Sequence, residues 1–83
     1  VGDRAGDGAD IHRVVEGRER VRSLAIALAQ LDERSRTLLI LRESDQLSYE
    51  EIAETMDMTT SAVKAKLYRA RHFLRVQMEE WDQ

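Results

Sequence analysis

From Val63 onward the apolar residues Val63, Leu67, Ala70, Leu74 and Met78 recur at spacings of four, three, four and four, and the chain contains no proline to interrupt them. That spacing lays one stripe along an α-helix. Val21, Leu24, Ala25, Leu28 and Leu31 give an earlier stripe, on a helix from about Glu19 to Gln30. Asp32 then stands at the N-cap of a second helix reaching about Glu43. Its run Leu38-Leu39-Ile40-Leu41 is apolar nearly all round, as in a central helix that touches neighbours on two sides. Ser48 followed by Glu51 is a capping box, which starts a third helix of about two turns with Ile52, Ala53 and Met56 on its apolar face. Thr59 or Thr60 caps the fourth. No two-residue alternation is sustained, so the fold expected is all-α: a four-helix domain with a C-terminal helix-turn-helix.

Eighty-three residues suffice for one small domain, with no room for a substrate-sized cavity in a separate core. Without cysteine there is neither a disulfide framework nor a thiolate metal or redox site. His12 and His72 stand 60 residues apart, outside any metal-ligand spacing, and read as ordinary solvent-facing histidines. No apolar run approaches the roughly 20 residues of a membrane helix. Nothing here calls for a cofactor, a catalytic step, a small-molecule substrate or membrane insertion, and the composition suits the cytoplasm. The opening VGDRAGDGAD holds three of the four glycines and three aspartates. Residues 1–17 are accordingly expected to be a flexible linker, the tail of a preceding segment, with the domain spanning 18–83.

The net charge of -3 conceals a segregation. From Thr59 to Met78 the charged residues are Lys64, Lys66, Arg69, Arg71 and Arg75, all basic, whereas from Glu43 to Asp57 every charged residue is acidic. Such a field orients a polyanion as well as attracting it. A two-turn helix, a three-residue turn and a longer helix with a basic flank make a helix-turn-helix if the helices cross closely. Ala53 permits that approach, and Asp57 tolerates the positive φ that the turn demands. With Val63, Leu67, Ala70 and Leu74 inward, Lys64, Ala65, Tyr68, Arg69 and His72 face outward. Lysine or arginine donates to guanine, and an alanine methyl or an aromatic ring packs on the thymine methyl. Thr60 and Ser61 offer helix N-terminal amides to a phosphate.

Leu31 to Arg75 resembles region 4 of bacterial sigma-70-type factors, especially the extracytoplasmic-function group. The family's Leu-Pro-x-x-x-Arg opening reads here Leu31 to Arg36. Its Leu-Arg-Glu is Leu41-Arg42-Glu43, its Leu-Ser-Tyr-Glu-Glu-Ile-Ala is Leu47 to Ala53, and its Val-Lys-x-Arg-Leu-x-Arg-Ala-Arg is Val63 to Arg71. Asp32 replaces the usual proline, Gln46 a frequent glycine, Ala65 a frequent serine and Lys66 the common arginine, while Thr59 to Ala62 replace a Pro-x-Gly-Thr lead.

The resemblance implies docking on the promoter minus-35 element in double-stranded DNA while the β flap of RNA polymerase holds the same domain, with an anti-sigma factor as a further partner. It implies base contacts from Lys64, Ala65, Tyr68 and Arg69. Arg42, Tyr49, Glu50, Thr60, Ser61 and Lys66 would lie at the DNA backbone, and Arg71 with Arg75 would add general attraction. For Glu50 the amide is the contacting group, its side chain serving the helix start. Two other readings stay open: a different helix-turn-helix regulator, and a purely protein-binding bundle that uses the exposed leucine strip. Trp81 is expected to anchor the last helix against the first.

Overall fold

A computed structural model describes residues 8–82, with side chains over 13–79. The helices are α1 (Gly8–Gln30), α2 (Glu33–Leu39), α3 (Tyr49–Met56) and α4 (Thr60–Asp82), and a π-helical turn, Ile40–Ser44, prolongs α2. There is no strand among the described residues. The order and the helix-turn-helix agree with the sequence expectation.

Each start and stop has a local cause. Asp32 caps α2, its carboxylate accepting from the Ser35 amide at 3.1 Å and the Ser35 hydroxyl at 2.7 Å. Arg36 reaches back from α2 to carbonyls at the end of α1, at Leu28 and Ala29, and to that of Leu31 just beyond it, and so supplies the C-terminal cap that α1 lacks in its own sequence. Around Ser48 both halves of the capping box form: Glu51 accepts from the Ser48 amide at 2.7 Å, and Ser48 Oγ accepts from the Glu51 amide at 3.0 Å. Asp57 ends α3 in the left-handed region at φ 57° and ψ 53°. Thr59, rather than Thr60, caps α4, its Oγ1 accepting from the Ala62 amide at 3.0 Å.

The core is small and continuous: Leu38, Leu39, Ile52, Ala53, Val63, Leu67 and Ala70, with Leu28, Leu31, Leu41, Leu47 and Leu74 packed around it. Leu38, Ile52 and Val63 are fully buried, so α2, α3 and α4 close on one another through a branched residue from each. Ala53 is buried where α3 meets α4, as its size requires. The exposed part of the central leucine run is Ile40, at the start of the π turn.

The first helix departs from expectation in two ways. It begins at Gly8, so residues 8–17 are helical where a linker was expected; residues 1–7 lie outside the described chain. Glu16 stands four residues before Arg20, the order that favours helix even without a buried face, and the side chains from Arg13 to Arg22 are exposed. The buried face is also rotated. Ser23 and Ala27 are buried, whereas Val21, Leu24 and Ala25, expected inside, are exposed. Small side chains let α1 lie close to α4, and that close approach prevails over the larger apolar count of the other stripe. The expectations for His12 and Trp81 fall outside the described side chains.

Candidate nucleic-acid interface

Burying Val63, Leu67 and Ala70 turns the opposite side of α4 to solvent. Lys64, Ala65, Tyr68, Arg69 and His72 are all exposed there, and Tyr68 retains 71% of its surface, which removes it from the packing of the core. The exposed ring thus shares one face with the two cations Lys64 and Arg69. At the start of this helix the first-turn amides have no intrahelical acceptor. Thr59 takes that of Ala62, leaving those of Thr60 and Ser61 directed past the positive end of the helix dipole.

A second group adjoins this face. Arg42, from the π turn, places its guanidinium carbon 4.5 Å from the centroid of the Tyr49 ring and donates to the Leu47 carbonyl at 2.8 Å. Lys64 Nζ lies 5.5 Å from the same centroid. Three residues from three elements thus converge, and they are residues expected at DNA. Glu50 is exposed in the first turn of α3, beside the capping box.

Lys66 and Arg71 turn instead to carboxylates of the domain itself. Lys66 Nζ is 3.7 Å from Asp32 Oδ2 and its side chain is mostly covered. The Ser35 hydroxyl and amide, together with the Lys66 charge, hold the Asp32 carboxyl below its ordinary value. Arg71 donates Nε and NH2 to Glu43 Oε2, and this pairing raises the guanidinium above its ordinary value. Two of the five cations of α4 are therefore partly neutralised from within.

An open, mainly apolar groove of about 290 Å³ runs between α1, α2, the π turn and α4, lined by Leu24, Leu28, Leu39, Ile40 and Leu74, with Arg36, Glu43 and Ser44 at its polar edge. No described helix is long and apolar enough to cross a membrane.

Residues 22–74 match the family model described as Sigma-70, region 4. The chain belongs to the sigma-70 region 4 family. Over 56 residues it is 43% identical to RNA polymerase sigma factor SigV of Bacillus subtilis (strain 168), covering 68% of this chain and 34% of that protein. With RNA polymerase sigma factor YlaC of the same organism the identity is 45% over 51 residues, 61% of this chain and 30% of the relative. The ECF RNA polymerase sigma-E factor of Haemophilus influenzae (strain ATCC 51907 / DSM 11121 / KW20 / Rd) is 43% identical over 44 residues, 53% and 23% of the two chains. This region 4 domain thus spans about a third or less of the length of these curated relatives.

Within the region 4 domain, helical periodicity placed the exposed row of α4, but the convergence of Arg42, Tyr49 and Lys64 and the two internal carboxylate partners were not foreseen. Asp32 and Glu43 carried a signal in principle, since each precedes its basic partner by 34 and 28 positions respectively. Contacts at that separation depend on how the helices cross, which side-chain periodicity does not specify.

Proposed function

We propose that this domain recognises the promoter minus-35 element in double-stranded DNA as part of a sigma factor that directs RNA polymerase to transcription initiation. The observation that carries the reading is the exposed row Lys64, Ala65, Tyr68 and Arg69 on the second helix of a helix-turn-helix, flanked by Arg42 and Tyr49. Lys64 and Arg69 donate to base edges, and Ala65 and Tyr68 supply apolar contact. The Thr60 and Ser61 amides and Arg42 hold backbone phosphates on either side, which sets the register of the helix in the groove. Lys66 and Arg71 add attraction from behind this row.

The domain acts in the cytoplasm by binding and performs no catalytic step; it needs no cofactor and no small-molecule substrate. The mainly apolar groove at Leu24, Leu39, Ile40 and Leu74 is the surface for the β flap of RNA polymerase, and an anti-sigma factor would compete there. That the relatives are RNA polymerase sigma factors supports a role for this domain with that enzyme.

An amide NMR titration with a minus-35-type duplex and a scrambled duplex at two salt concentrations tests the reading. Shifts at Arg42, Tyr49 and Thr60 to Arg71, larger for the promoter duplex and reduced by salt, are expected. Equal shifts for both duplexes would favour a helix-turn-helix domain of other specificity. No shifts, with the amides still dispersed, would leave a protein-binding bundle.

A further inference from the structure

Tyr49 stands where two cations from different elements meet. It is the first residue of α3, fixed by the capping box on either side of it, and its half-buried ring packs against the core. Over that ring lie Arg42 at 4.5 Å and Lys64 at 5.5 Å. Among the described residues neither cation has a carboxylate partner, because Glu43, the neighbour of Arg42 in sequence, is engaged with Arg71. Two like charges that share one aromatic ring repel each other, and the negative face of the ring offsets part of that repulsion without cancelling the charge. A carboxylate in the same place would bring the cations together and neutralise them. The ring brings them together and leaves both available to an anion.

We propose that Tyr49 is a positioning residue for DNA binding, whose ring holds the Arg42 guanidinium at the DNA backbone and the Lys64 ammonium at the adjacent base edge. The inference rests on the DNA-binding reading above and differs from a direct contact by the phenol. Both contacts are to the ring face rather than to the hydroxyl. It is therefore the ring, acting through its neighbours, that matters.

Fluorescence anisotropy of the chain with a minus-35-type and a scrambled duplex, over a series of salt concentrations, tests the assignment. Tyr49→Leu is expected to weaken binding to both duplexes about tenfold, from the loss of two cation–ring contacts. It should flatten the dependence of log affinity on log salt by about 1, since the lost Arg42 phosphate contact contributes roughly 0.9. Tyr49→Phe keeps the ring and should restore both affinity and slope. In a Lys64→Ala background, Tyr49→Leu should cost less than it does alone. A Tyr49→Phe loss as large as that of Tyr49→Leu, or full additivity with Lys64→Ala, would overturn the proposal.

Side-chain NMR gives a readout free of DNA. The Lys64 methylenes nearest the ammonium should be shifted by the ring in the wild type, and their shifts should be ordinary in Tyr49→Leu. Ordinary shifts in the wild type would overturn the clamp whatever the duplexes do. Should Tyr49→Leu not fold, Arg42→Ala and Lys64→Ala, singly and combined, replace it: their losses are expected to couple, and simple addition would count against the proposal. Failure of the DNA reading itself would look different, as wild-type anisotropy that does not respond to either duplex, and it would remove the proposed role with it.

Discussion

Glu43 Oε2 accepts two hydrogen bonds from Arg71, from Nε at 3.2 Å and from NH2, and so ties the π turn to the middle of α4. A cation of the fourth helix is thereby spent on internal order. Both side chains are partly exposed, so the pair adds little to stability, on the order of 1 kcal/mol or less. Its larger effect is on the field: a carboxylate stands beside the surface at which phosphates are expected.

Glu43→Ala should accordingly strengthen DNA binding without sharpening it. Releasing Arg71 is expected to raise affinity for promoter and scrambled duplexes alike by several-fold at low salt and to steepen the salt slope by about 1. Anisotropy titrations at several salt concentrations measure both quantities. Weaker binding would mean that Arg71 needs Glu43 in order to be oriented.

The Asp32 carboxyl makes the start of α2 sensitive to acid. The Ser35 hydroxyl and amide lower it from its ordinary value of 3.8, and Lys66 adds to the effect. Because the folded-state value is the lower one, ionised Asp32 stabilises the fold in full above the unfolded value, and the contribution disappears as pH falls through the folded one. Thermal melts should therefore show a falling Tm below about pH 4. Asn also caps well, so Asp32→Asn should keep the helix start while flattening this acid limb. An unchanged limb would assign the acid sensitivity to other carboxylates.

Gln46 sits at φ 59°, in the left-handed region that a side chain disfavours, between the π turn and the cap at Ser48. The Leu47 amide bonds back to the Leu41 carbonyl at 3.0 Å, so the chain must reverse within this short stretch. Gln46→Gly removes a steric penalty of roughly 1 to 2 kcal/mol and adds an unfolded-state entropy cost of about 0.5 to 1 kcal/mol. A net gain of about 1 kcal/mol is expected in chemical denaturation. Asp57, at φ 57°, should gain less from the same change, because Asp tolerates this region better.

Much of this architecture was legible because its causes are local. Ser48 and Glu51 are three residues apart, Asp57 needs only its own backbone, and Val63, Leu67 and Ala70 share a face by helical geometry. The exposed row from Lys64 to His72 follows from that face. The first helix was read less well because two stripes compete on it, and which one is buried depends on how closely α4 approaches. Periodicity counts apolar side chains, whereas the packing selected the small Ser23 and Ala27. The π turn left no mark in the sequence either. It arises where Asp45 bonds to the Ile40 carbonyl at 3.0 Å as the chain is drawn toward α3.

Ser23 tests that account of α1. Its Oγ is buried and has no hydrogen-bond partner, and an unmatched buried polar atom costs on the order of 1 kcal/mol. Ser23→Ala keeps the small volume, removes the hydroxyl and improves helix propensity, so a stabilisation of about 1 kcal/mol is expected. Ser23→Leu should destabilise by roughly 1 to 3 kcal/mol through overpacking. If both substitutions left the unfolding midpoint unchanged, α1 would not pack on α4 through this residue.

Arg69 and Lys66 lie three residues apart on α4 yet should fail in different ways. Arg69 is exposed on the outward row, and Arg69→Ala is expected to cost roughly 1 to 3 kcal/mol on the minus-35 duplex and to relax sequence preference. Lys66 is mostly covered and shares its charge with Asp32, so Lys66→Ala should weaken both duplexes alike and flatten the salt slope by about 1 at most. In an Asp32→Asn background the Lys66→Ala loss should grow, since the lysine then has no internal carboxylate to satisfy. Parallel titrations of the variants against promoter and scrambled duplexes separate the two roles. Equal losses from Arg69→Ala on both duplexes would remove Arg69 from base reading and leave α4 as an electrostatic surface only.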